Sequence, residues 1–190
     1  MRELSLYVLD IAQNSLSAGA TNIEISVEEN TAVDKILIRI IDNGHGMTPQ
    51  QVKQVTNPFY TTRTTRRVGM GISLFRLAAE QSGGSLEIAS QPEKGTTLTA
   101  SFVLSHIDRP PIGDMDGTIT ALIRLNPKTD FCYKRSIDDR SFSLETARLR
   151  EILGEVTLDT PEVISWISEY IQEQNSLLSS ACAPDNTTYK

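Results

Sequence analysis

At 190 residues, with 39% hydrophobic and 22% charged side chains and a net charge of -6 at pH 7, the chain is sized for one globular domain with a small addition. Its acidic balance argues against a nucleic-acid partner, which needs a basic face, and no apolar run approaches the ~20 residues of a membrane span. Two distant cysteines, Cys132 and Cys182, without Cys/His ligand spacing, argue against a disulfide framework or structural zinc; Met1-Arg2-Glu3-Leu4-Ser5 lacks a signal-peptide core, so a cytoplasmic protein is expected.

Residues 3–18 are predicted helical, with Leu9, Ala12 and Leu16 on one face, Leu6 alongside, and Gly19 at the C-terminal glycine position. Asp10 and Asn14 are four apart and stack beside that apolar stripe, either as two solvated polar residues or as paired site groups. Ile23-Glu24-Ile25-Ser26-Val27 alternates as a strand. The polar stretch from Glu28 to Lys35 then turns into a second strand, Ile36 to Ile41, giving an antiparallel hairpin. That strand runs into Asp42-Asn43-Gly44-His45-Gly46-Met47. The stretch is either an Asn-Gly turn or a site in which one carboxylate and side-chain-free backbone receive a flat heterocycle.

Thr48-Pro49 opens a short helix with Val52 and Val55 inward. Residues 57–67 have no periodicity, many hydroxyls and three arginines, and read as a surface loop or as a phosphate-binding one. They lead through Gly69-Met70-Gly71 into a helix ending near Gln81, with Leu74, Leu77 and Ala78 buried and Gly83-Gly84 as the stop. Glycines before a helix let an anion approach its unpaired first-turn N–H groups, although such a pair is often only a packing device. Ser85–Ser90 and Thr97–Leu104 form a second hairpin. The order of helices and strands is an α+β pattern rather than a doubly wound one.

Four pieces in this order, Asp10-x-x-x-Asn14, Asp42-x-Gly44-x-Gly46, Gly69-x-Gly71-x-x-Leu74 and Gly95-Thr96, resemble the GHKL ATPase superfamily over residues 3–104. Asn14 to Thr21 is similar to the first motif of mismatch-repair ATPases. Pro58 to Arg63 with Gly69 to Leu74 looks like the lid and glycine box of histidine kinases, and the combination is similar to stand-alone histidine-kinase-like ATPases of anaerobic bacteria. The resemblance implies a two-layer α/β sandwich, the Bergerat-type ATP-binding domain, with a mainly antiparallel sheet covered on one face by helices. It implies ATP and Mg²⁺ as cofactors, with Asn14 as the metal ligand. Asp42 would accept from the adenine amino group, Gly44, Gly46 and Met47 would lie against the base, and Thr96 would help hold Asp42. Gly69, Met70 and Gly71 would admit the phosphates, and Thr61, Thr62 and Arg63 would close over them. Asp10 stands where hydrolysing members carry a catalytic glutamate and is one methylene shorter. Neither His45 nor His106 lies on a preceding phosphoacceptor helix.

Beyond the resemblance, residues 108–114 read as a connector. Thr118 to Leu125 and Phe131 to Arg135 read as a third hairpin, followed by a helix from Leu144 to Leu153 with Leu149, Ile152 and Leu153 inward. A last helix opens at Thr160-Pro161 with a Val163/Ile167/Tyr170/Ile171 stripe, a core face or a partner surface. The expected organisation is an ATP-binding domain over 1–107, a small ββαα appendix over 108–174 and a flexible tail over 175–190. The expected activity is that of a small ATPase or ATP-dependent protein kinase acting on a protein partner. A non-hydrolysing, ATP-gated interaction switch is the alternative.

Overall fold

The computed structural model describes residues 3–56 and 70–180. One six-stranded sheet carries the chain, with strands β1 (Asn22–Asn30), β2 (Lys35–Asp42), β3 (Ser85–Ser90), β4 (Thr96–Val103), β5 (Asp130–Ile137) and β6 (Arg140–Glu145) in the order β3-β4-β2-β1-β5-β6. All neighbours are antiparallel except β1 and β5, which run parallel from Asn22 opposite Asp130 to Glu29 opposite Ile137. The helices are α1 (Leu4–Ser17), α2 (Pro49–Val55), α3 (Met70–Gln81), α4 (Met115–Leu125), α5 (Thr146–Leu153) and α6 (Pro161–Ser180). No described helix is long and apolar enough to cross a membrane.

Strand alternation decides which face is covered. Ile23, Ile25 and Val27, Ile36, Ile38 and Ile40, and Leu98, Ala100 and Phe102 are all buried on one side, under the helices. The residues between them, such as Glu24, Arg39 and Thr99, form the polar opposite face, the two-layer arrangement the alternation predicts. Tyr7 of α1 stacks on Phe75 of α3 with ring centroids 4.9 Å apart, and Phe75 meets Phe102 of β4 at 5.7 Å. This aromatic column fixes α3 against α1 and the sheet.

Three predicted inward residues face out. Leu6 is 44% exposed because the buried stripe of α1 is Leu4, Val8, Ile11, Ala12 and Ser15; Leu77 is 46% exposed because α3 buries Ser73, Phe75, Ala78 and Ala79. In α5, Ile152 is 76% exposed. Val52 and Val55 of α2 are half-buried, and Thr48 caps the helix with Pro49 at its first position as expected; the Gln51 side chain reaches back to complete a capping box.

The predicted strand over 118–125 is corrected to a helix. Met115, Ile119, Leu122 and Ile123 recur at helical spacing and are buried, and the Asp114 side chain caps the helix by accepting from the Gly117 N–H at 2.9 Å. The segment after the connector is therefore αββαα rather than ββαα. Its hairpin is β5–β6, with Leu144 paired to Tyr133 in β6 rather than opening α5. α6 continues through Asn175 to Ser180, anchored by buried Leu178.

Candidate functional site

β2 ends on Asp42, whose backbone pairs with Ile23 on one side and Thr96 on the other. Its carboxylate accepts three hydrogen bonds: Oδ2 from the Ser15 hydroxyl at 2.6 Å, and Oδ1 from the backbone N–H groups of Gly44 at 2.9 Å and Thr96 at 3.2 Å. A carboxylate offers about four lone-pair positions, so these three bonds leave one, and Asp42 lines the adjoining cavity. That cavity, about 270 Å³, has apolar walls from Ile11, Ile40, Met47, Ile72, Ile88 and Leu98, with Asn14, Asp42 and Thr96 among its polar lining. Apolar walls around a few fixed polar groups are the make-up of a small-molecule site.

The glycines interlock two turns as well as opening backbone. A Cβ on Gly46, at φ +65°, would lie 2.0 Å from the Gln91 carbonyl oxygen, and one on Gly95, at φ +81°, 1.9 Å from that of Asp42. Gly44 lies against Ala18, where a Cβ would come within 2.9 Å of the carbonyl oxygen. Ser90 ties these turns together. Its hydroxyl accepts from the Met47 N–H at 2.8 Å, donates to the Gly95 carbonyl at 2.9 Å and meets the Thr96 hydroxyl at 3.0 Å. Thr96 therefore holds Asp42 through its backbone, while its hydroxyl is engaged by Ser90.

Asp10 and Asn14 lie one turn apart on α1. Asn14 lines the cavity. Asp10 sits against the first turn of α3, where a Cβ on Gly71 would be 3.2 Å from its Cβ and 3.4 Å from its Oδ2. Asn14, Asp42, Gly46, Met47 and Thr96 thus meet at one cavity, with Gly44 in its floor loop and Asp10 and Gly71 at one helix end. Thr61, Thr62, Arg63 and Gly69 lie outside the described residues, and Met70 opens α3. His45 is exposed on the loop, and His106 accepts from the Asp108 N–H at 3.1 Å, a local structural bond.

Residues 2–106 match the model of the family described as histidine kinase-, DNA gyrase B-, and HSP90-like ATPase. The chain belongs to this ATPase family. Among its relatives are the sensor histidine kinase ZraS of Salmonella typhimurium, 29% identical over 97 residues, and sporulation kinase B of Bacillus subtilis, 33% identical over 100. These stretches cover 50% and 51% of this chain but 21% and 23% of the relatives, so the chain spans about a fifth of the length of the kinases it matches. The N-terminal domain of a DNA repair protein has the same fold, with a TM-score of 0.53 at 16% identity, covering 76% of this chain and 52% of that one.

Within this ATPase domain, sequence reasoning missed Ser15 and Ser90. A helical serine beside a named asparagine carries no signal by itself; what could have revealed Ser15 is its place one turn after Ile11 on the buried stripe. Ser15→Ala is expected to cost ~1–2 kcal/mol in denaturant unfolding, because the bond it removes is charge-assisted but opens onto a cavity.

Proposed function

We propose that the cavity binds Mg-ATP, with the adenine amino group donating to Asp42 and the phosphates directed to the first turn of α3, and that the protein is a cytoplasmic ATPase or ATP-dependent protein kinase. The observation that carries this reading is the Asp42 carboxylate, held by three donors at the base of an apolar cavity with one acceptor position left. The positive dipole end of α3 suits phosphate, and Asp10 against its first turn suits a group that orients water or an acceptor hydroxyl. Among the described residues there is no cluster of three or more His, Cys, Asp or Glu side chains that could hold a metal. Mg²⁺ fits this poverty of ligands, since it takes one or two protein oxygens and completes its shell with phosphate and water. Asn14 would supply the amide oxygen, and the ion would neutralise charge on the transferring phosphoryl group. The kinase relatives favour phosphoryl transfer to a protein.

The second reading is an ATP-gated interaction switch with negligible turnover, favoured by the short reach of Asp10 and by the packing of the C-terminal segment on α1. The connector carbonyls of Pro111 and Ile112 accept from the first N–H groups of α1 at 2.9 Å each, tying that segment to the helix bearing Asp10 and Asn14. Single-turnover hydrolysis of Mg-ATP decides between the two. For the enzyme, Asp10→Asn is expected to slow hydrolysis by about 100-fold or more at unchanged affinity, and Asn14→Ala to weaken Mg-dependent binding. A wild type that binds ATP but hydrolyses no faster than Asp10→Asn supports the switch. Failure of wild type to bind ATP overturns both.

A further inference from the structure

α5 rests Leu149 and Leu153 partly buried against the core, but its one fully buried side chain is the polar Thr146. Polar contacts add a second anchor. The Thr146 hydroxyl accepts from the Phe131 N–H at 2.8 Å. One turn later, on the same face, the Arg150 guanidinium donates to the Asp130 carboxylate, to the Pro127 carbonyl at 2.9 Å and to the Thr129 carbonyl at 2.7 Å. A planar fork satisfying three acceptors in one short turn fixes the turn's shape in a way a point charge cannot.

The braced turn bears on the nucleotide floor. The Asp130 N–H donates to the Thr21 carbonyl at 2.8 Å, where the parallel pairing of β5 with β1 begins. Thr21 is gripped from the other side by Asn43, whose Oδ1 accepts from the N–H groups of Thr21 and Asn22, both at 2.9 Å, and whose Nδ2 donates to the Thr21 hydroxyl at 2.9 Å. Asn43 lies between Asp42 and Gly44. An unbroken hydrogen-bonded path thus runs from α5, outside the ATPase match, to the loop that presents the Asp42 carboxylate.

We infer that Arg150 is a positioning residue for the Asp42–Gly46 loop, acting through the 127–130 turn, Thr21 and Asn43. That this loop receives adenine rests on the function proposed above; the mechanical link does not. Amide hydrogen exchange on the ligand-free full-length chain therefore tests the link, and ATP titration tests its consequence. In Arg150→Ala, the Gly44 and His45 amides are expected to exchange at least about fivefold faster, while Ile38 in the sheet centre, reporting global opening, changes less. ATP affinity is expected to fall by roughly three- to tenfold, and Arg150→Ala combined with Thr21→Val to do no more than Arg150→Ala alone, as for residues in one chain of contacts. Arg150→Lys, which keeps the charge without the fork, gives an intermediate acceleration and serves if the alanine variant does not fold. Lys134→Ala, which breaks an exposed β5–β1 ion pair with Glu24 away from the loop, leaves both readouts unchanged. Unaltered exchange at Gly44 and His45 in the Arg150 variants, or equal acceleration in Lys134→Ala, overturns the inference. A loop response in a chain that does not bind ATP upholds it and removes the proposed function instead.

Discussion

Asp42→Asn is expected to weaken ATP binding by roughly 10- to 100-fold with little change in melting temperature. The amide oxygen of asparagine can take the place of Oδ1 and keep the Gly44 and Thr96 N–H bonds, and the Ser15 hydroxyl can rotate to accept from the new NH₂ group. The ligand has no such freedom. An adenine amino group that met an oxygen now meets a donor, and the loss of one charge-assisted bond, ~1.5–3 kcal/mol, corresponds to that range of affinity. Isothermal titration of the folded variant with ATP measures it. Undiminished affinity would place the base elsewhere and remove the central contact of the proposed site.

Gly46→Ala is expected to damage the fold itself. Its backbone sits at φ +65°, and the added methyl would overlap the Gln91 carbonyl oxygen at 2.0 Å, an atom of a neighbouring turn with no side-chain freedom to yield. Backbone strain and forced displacement together should cost about 3 kcal/mol or more. For a chain of this size that lowers the melting temperature by roughly 6–12 °C. The collision is with protein backbone, so the loss is expected with or without nucleotide. A normal melting curve combined with lost ATP binding would instead mean that Gly46 serves only the ligand.

The two halves of the chain were unequally legible. In residues 3–104, strand alternation placed both hairpins, because local patterns there agree with the tertiary solution, and the family resemblance named Asn14, Asp42 and Thr96, which the structure brings to one cavity. The 118–125 stretch misled because Thr118-Ile119-Thr120-Ala121-Leu122-Ile123 satisfies a period of two and a period of 3.6 alike. Only Met115 upstream and the Asp114 cap break the tie. Leu6 and Leu77 misled for another reason: Ser15 and Ser73 occupy buried positions that apolar periodicity leaves to leucine. The Ser15–Asp42 bond and the pairing of β5 with β1 join residues far apart in sequence, and no local pattern encodes them. Thr61, Thr62, Arg63 and Gly69 rest on sequence alone.

The parallel pairing of β1 with β5 has a consequence for synthesis. β1 is made early and meets β2 at once, but its other edge is completed only when residues 130–137 have been made. At ~5–20 residues per second, a nascent chain carries that open edge for roughly 5–20 s. Through that interval a strand with one apolar face, Ile23, Ile25 and Val27, presents unpaired N–H and C=O groups, a template for another chain's strand. β5 therefore acts late, as the intramolecular strand that closes this edge before another chain can.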